Sequence, residues 1–196
     1  MNRRQFNSLA LASIAGGAVS TFAAEPSKPT PERAFTLDLR CGSIGVKANQ
    51  LEAIELAHKH GFESVTPDPY FLGQAKDDQL KKLLADMKEK KIVWGSAGLP
   101  VQFRQDEAKY KSDLKALPQR CAGVKKAGGK RMGTYIMPRH DSLTYMANFR
   151  LHAKRLRECV KVMSDHGLRF GIEYVGPKTL WSSAKHSFIH LSLIHI

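Results

Sequence analysis

The feature that most constrains this chain is a rhythm. From Phe35 onward, short apolar runs alternate with amphipathic stretches. The runs lie at 35–39 (FTLDL), 63–66 (ESVT), 92–96 (IVWGS), 131–136 (RMGTYI) and 169–174 (RFGIEY). They begin roughly 28 to 40 residues apart, about the length a strand–helix–strand crossover needs. Between them, Leu80, Leu83, Leu84 and Met87 recur at helical spacing, as do Phe149, Ala153, Leu156, Val160 and Met163, so each set predicts a helix burying one stripe against a sheet. A helix over 49–60 should stop at Gly61 and another at Gly167, because glycine accepts the left-handed backbone that closes a helix. H-G-F-E-S-V after the first and H-G-L-R-F-G-I-E after the second are then one device: stop, turn, strand. A third helix is expected over 106–127, kinked or split at Pro118 and ended by Gly128 and Gly129.

An even βα rhythm leaves a closed (β/α)8 barrel or an open doubly wound sheet. After the first strand the chain reads C-G-S-I-G-V, a G-x-x-G rather than G-x-G-x-x-G, and no G-x-x-x-x-G-K-[ST] occurs. The barrel is favoured. Such a barrel takes about 250 residues, whereas 35–190 offers five strands of eight. The reading is an α/β chain forming an incomplete (β/α)8 TIM barrel, with an unpaired sheet edge.

The two ends read differently. Arg3 and Arg4 precede 9–24, an uncharged run of small and apolar residues, which has the form of a twin-arginine signal peptide cleaved near Ala23 or Ala24. The expectation is an exported, periplasmic protein without a stable membrane anchor. Residues 25–34 carry three prolines and read as a flexible leader. The final LSLIHI at 191–196 resembles one reading frame of a transposase adapter used in sequencing libraries, so the natural sequence is expected to run to about His190.

Composition excludes more than it assigns. The net charge of +13 comes from lysines and arginines scattered without aromatic interleaving, so they read as solvated faces and no nucleic-acid partner is expected. Cys41, Cys121 and Cys159 form no C-x-x-C pair and are expected to be buried free thiols. His58, His60, His152 and His166 fall on or beside helices and are expected at the surface.

Barrel active sites sit at the C-terminal ends of the strands. Polar residues predicted there are Arg40, Asp68, Tyr70, Arg139 and His140, candidates for substrate binding, with Asp141 or Ser142 capping the following helix. Glu173 stands near the end of the fifth strand. A carboxylate in an apolar strand is costly to bury unless compensated, and a cation does so well.

The segment L-R-F-G-I-E-Y-V-G-P-K-T (168–179), with F-T-L-D-L-R-C-G-S-I-G-V and H-K-H-G-F-E-S-V earlier, resembles the sugar phosphate isomerase/epimerase, xylose isomerase-like barrels. The resemblance implies that Glu173 is the first ligand of a divalent ion (Mn, Mg, Co or Zn), with an aspartate, a histidine and a second glutamate on later strands beyond His190. It also implies metal-dependent isomerisation or epimerisation of a small carbohydrate through an enediolate, in the intact protein; this chain by itself is expected to be inactive. The ketose 3-epimerase branch follows its glutamate with E-x-x-N-R-x-E. Here Gly176 and Thr179 stand at the asparagine and second glutamate, so that branch's substrate contacts do not carry over. Two alternatives stay open: an exported non-catalytic carbohydrate-binding barrel, and a metal-dependent phosphodiesterase of the abasic-site endonuclease type.

Overall fold

The computed structural model describes residues 33–190. The segment read as a signal peptide, most of the segment read as a leader, and the LSLIHI tail lie outside the described residues. The compact unit begins at Phe35. Its elements are β1 (Asp38–Leu39), α1 (Gln50–Lys59), β2 (Ser64–Val65), α2 (Pro69–Gln74), α3 (Asp77–Glu89), β3 (Val93–Trp94), β4 (Ala97–Gly98), α4 (Glu107–Lys126), β5 (Arg131–Ile136), β6 (Arg139–His140), α5 (Tyr145–Asp165), β7 (Arg169–Tyr174), α6 (Lys178–Trp181) and β8 (His186–Ser187).

All five predicted strand regions pair in parallel. One sheet runs β1-β2-β3 and a second runs β4-β5-β7. The predicted third strand breaks after Trp94: β3 serves the first sheet and β4 the second, with Gly95 between them. A Cβ on Gly95 would lie 2.1 Å from the Asp38 carboxylate, so a larger residue here would oblige the Asp38 side chain to move. Among the described residues β7 is bonded on one side, to β5.

Helix caps follow the local chemistry. Asn49 and Glu52 form a reciprocal capping box at the start of α1, which stabilises two otherwise orphaned N–H groups. Gly61 (φ 72°) and Gly167 (φ 63°) both adopt the left-handed conformation expected of helix stops. At α5 the cap is Thr144, whose side chain accepts from Ala147 N, and neither Asp141 nor Ser142. The helix expected over 106–127 is not split at Pro118: it runs as one element, α4, with Pro118 inside it and with α2 and α5 packed against it.

The core lies between sheets and helices. Met132 of β5 is fully buried and its Sδ lies 3.9 Å from Cys121 Sγ of α4. All three cysteines are buried and unbonded to one another; burial pushes the Cys121 thiol up to about 11 and the Cys159 thiol up to about 12. Such thiols are poor nucleophiles at neutral pH. The predicted stripe on α3 holds for Leu80, Leu83 and Met87. On α5 it is rotated: Phe149 is exposed, while Asn148, His152, Arg155, Leu156, Cys159 and Met163 are buried. Arg155 donates to Phe103 O and Gln105 O of the loop after β4, and His152 packs on the Phe103 ring of the same loop, which turns this face inward.

Candidate functional site

Side chains alternate across a strand, so residues paired in register share a face. Met132 of β5 points at α4, which puts Gly133 and Tyr135 on the opposite face. Their register partners on β7 are Gly171 and Glu173. That face borders a cleft of about 460 Å3, lined among others by Arg40, Gln102, Arg104, Thr134, Tyr135 and Glu173. Arg40 reaches it because Leu39 beside it turns inward to the core.

The loop carrying Arg104 is clamped by buried charge. Gln102 N donates to Asp113 Oδ2 at 3.0 Å, and Lys109 Nζ approaches Asp113 Oδ1 at 2.7 Å. Burial alone would raise the Asp113 carboxyl; the hydrogen bonds from Lys109 and Gln102, with the charges of Lys109 and Arg120, outweigh it and hold it below the usual value. Arg120 Nη1 donates to Pro100 O at 2.6 Å, and Arg155 Nη1 to Phe103 O at 2.9 Å. Arg104 itself lies over the rings of Phe103 and Tyr135, each 4.3 Å from its guanidinium carbon, and donates to Thr134 Oγ1 and Tyr135 O. Desolvation lowers its pKa, with the Tyr135 hydroxyl acting in the opposite sense, yet a guanidinium stays charged.

The predicted site residues separate. Arg40 and Glu173 line this cleft together. Glu173 is exposed to the cleft, so the cost of burying it, which singled it out in the sequence, does not arise. Arg139 and His140 line a smaller side cleft of about 200 Å3 with Arg104, Asp141, Asn148 and His152. Arg139 pairs with Asp141 at 3.6 Å, and His140 Nδ1 accepts from Leu143 N at 2.9 Å, fixing the turn before α5. Asp68 and Tyr70 are placed elsewhere: Asp68 caps α2 by accepting from Tyr70 N, and the Tyr70 ring carries Arg120 at 4.2 Å. The helix start there is opened by Pro69, and Asp68 lines, with Arg40, a separate cleft of about 220 Å3.

Two members of the neighbourhood went unread in the sequence. Arg104 was missed because the third strand was ended at Ser96, whereas β4 extends it to Gly98 and makes 99–106 the loop at the strand end. His152, expected at the surface, is buried against Phe103 and Phe188, with ring centroids 5.2 and 5.3 Å away. Burial is the main cause of its lowered pKa; its Nδ1 bond to Asn148 O opposes this, and nearby Arg104, His140 and Arg155 add to it. His152 is therefore neutral when folded, while in the unfolded chain it takes up a proton near pH 6.5. Stability should fall as pH drops below about 6.5 towards the lower folded pKa. Urea midpoints at pH 7.5 and 5.5 should differ more in wild type than in His152→Gln; equal differences would show that His152 does not contribute.

Among the described residues no three His, Cys, Asp or Glu side chains are grouped to hold a metal. The cleft offers one carboxylate, facing guanidinium, amide and phenol groups, so the described residues do not by themselves make a metal site. No helix among them is long and apolar enough to cross a membrane.

No family model and no curated protein matches the chain. Solved structures do. A xylose isomerase domain protein from Alicyclobacillus acidocaldarius superposes with a TM-score of 0.63 at 22% identity, covering 74% of this chain and 52% of that one. The IolI protein with a bound zinc atom gives 0.57 at 17% identity, covering 72% and 52%. A D-psicose 3-epimerase, solved in the presence of D-fructose, gives 0.52 at 16% identity, covering 66% and 48%. The chain spans about half the length of these proteins. Their superposition and the parallel βα units agree: this chain has the fold of the xylose isomerase-like (β/α)8 barrels, in about five of its βα units.

Proposed function

We propose that the intact protein is an exported sugar isomerase or epimerase, and that this chain supplies one wall of its substrate site. The observation that carries the reading is the Glu173 carboxylate set in one polar cleft with two guanidinium groups, Arg40 and Arg104. Sugar hydroxyls and carbonyls can both accept from the arginines, and Glu173 can accept from a hydroxyl. A cation held by rigid contacts, as Arg104 is by Thr134 and Tyr135, also stabilises negative charge developing on a carbonyl oxygen when the adjacent carbon loses its proton. The likeness to epimerases and to a zinc-containing relative of this fold supports a divalent ion as part of the intact site, with Glu173 contributing one oxygen ligand. Because the described residues do not complete that site, the work assigned to this chain is binding, orientation and charge stabilisation.

The test is proton exchange. The full-length protein is incubated in deuterium oxide with a panel of aldoses and ketoses, and deuterium at the carbon beside the carbonyl is read by NMR. Exchange and product formation are expected in the periplasmic fraction, lost after chelation and restored by a divalent metal. Glu173→Gln should lower the exchange rate by about a hundredfold or more, beyond the tenfold to hundredfold typical of losing an outer-shell partner. Product without exchange would replace the enediolate with a hydride shift. Sugar binding without turnover would leave a carbohydrate-binding barrel, and no binding at all would end the reading.

A further inference from the structure

The charges of the main cleft do not cancel. Its lining carries two guanidinium groups, Arg40 and Arg104, and one carboxylate, Glu173. Neither arginine forms an ion pair with a described residue. The two cations differ. Arg104 is half-buried and held by Thr134 and Tyr135, and the sugar reading already gives it work at the reacting carbonyl. Arg40 has no such assignment. Its side chain is exposed, and although it borders both Glu173 in this cleft and Asp68 in the smaller one, it pairs with neither.

The backbone fixes how far this spare cation stands from Glu173. Arg40 Nη2 lies 3.9 Å from where a Cβ on Gly98 would stand, so the guanidinium reaches from the end of β1 to β4. Gly98 pairs in register with Gly133 of β5, and Gly133 with Gly171 of β7, two residues before Glu173. Neighbouring strands lie about 4.8 Å apart, so the guanidinium stands two spacings, about 10 Å, from the strand that carries Glu173. The three glycines put no side chain into the floor between them. A guanidinium fork takes a carboxylate through two parallel N–H···O bonds. A phosphate monoester carries about −1.5 to −2 charges at neutral pH and would be repelled more strongly by Glu173, whereas a carboxylate brings the single charge that one spare cation answers. The separation puts this carboxylate at the end of the ligand away from its carbonyl.

We propose that the substrate is a sugar acid of the hexuronate type, whose remote carboxylate pairs with Arg40 while its carbonyl end lies at Glu173 and Arg104. This rests on the sugar reading of the main cleft. It adds the charge and length of the ligand, which that reading leaves unspecified.

The experiment is calorimetric titration of the full-length protein with glucuronate and galacturonate, with glucose and galactose, and with glucose 6-phosphate. At least one uronate should bind about tenfold or more tighter than its neutral counterpart, a difference of about 1.4 kcal/mol. Arg40→Gln and Arg40→Met should each bring that ratio towards one. Because the Arg40 side chain is exposed and unpaired, both variants should melt with the wild type, which shows that they fold. A ratio near one in wild type overturns the uronate, as does a ratio that survives both substitutions. Glucose 6-phosphate bound more tightly than glucuronate would mean that the cleft reads a phosphate, and also overturns it. Neutral sugars bound without a uronate advantage defeat the uronate and leave the sugar reading standing; no binding by any of the five defeats both.

Discussion

Arg155→Ala should destabilise the protein by about 3 kcal/mol, the sum expected when buried carbonyls lose a charged donor and its packing. Arg155 is 5% exposed, and its position on α5 lets it reach more than fifty residues back along the chain. Nη1 donates to Phe103 O at 2.9 Å and to Gln105 O at 2.5 Å; Nη2 donates to Glu107 Oε2 at 2.7 Å. The hydrogen bond from Arg155 is the main cause of the Glu107 carboxyl lying below its usual value; partial burial opposes it and Lys111 assists. The guanidinium also lies 4.6 Å from the Tyr110 ring centroid, and the Tyr110 hydroxyl donates to Glu158 at 2.8 Å. Burial, with that bond to Glu158, raises the Tyr110 pKa, so the phenol stays protonated as a donor.

Alanine offers none of these donors. Glu107 is half exposed and can turn to water, but the Phe103 carbonyl is buried and cannot. At about 2–4 °C per kcal/mol for a chain of this size, the melting temperature should fall by about 6–12 °C. Because the freed loop carries Arg104, ligand binding in the cleft that holds Arg40 and Glu173 should weaken as well. Arg155→Lys should recover part of the stability through a single donor in place of the fork. An unchanged urea midpoint in Arg155→Ala would show that the clamp carries no net stability.

Gly123→Ala is the second large effect, and its sign opposes helix propensity. In an exposed helix interior this change should stabilise by about 1 kcal/mol. Here a Cβ at 123 would lie 2.3 Å from Leu72 O, 2.4 Å from Leu72 C and 2.6 Å from Gly73 N. All three are backbone atoms of α2, so no side chain can swing aside. On α2, a Cβ at Gly73 would meet Arg120 Cα at 3.2 Å, so the two helices touch through a glycine on each. The substitution must push α2 off α4, and overpacking of this kind costs about 1–3 kcal/mol or more. Net destabilisation of about 2 kcal/mol is expected by urea denaturation, with Gly123→Ser at least as costly. A stabilised Gly123→Ala protein would mean that the helices part without resistance.

Both effects bear on what a linear reading can reach. Strand and helix order was legible because it depends on local periodicity: RMGTYI and RFGIEY pair over their full length, and Gly61 and Gly167 stop their helices as read. Element ends were less so. The third strand was ended at Ser96, yet Gly95 and Ser96 are only the step between two sheets, and what lies beyond Gly98 is the loop holding Arg104. The face of α5 was read from its apolar residues and came out rotated.

The sequence by itself determined the βα alternation, the helix stops and a carboxylate at 173 near the end of a strand, because each is set by neighbours within a few residues. Tertiary structure alone decided that Asn148, His152 and Arg155 turn inward and that Arg104 joins Arg40 and Glu173. Arg155 can be buried because Phe103 O, Gln105 O and Glu107 answer its guanidinium, and those partners lie about fifty residues away along the chain, beyond the reach of any local pattern.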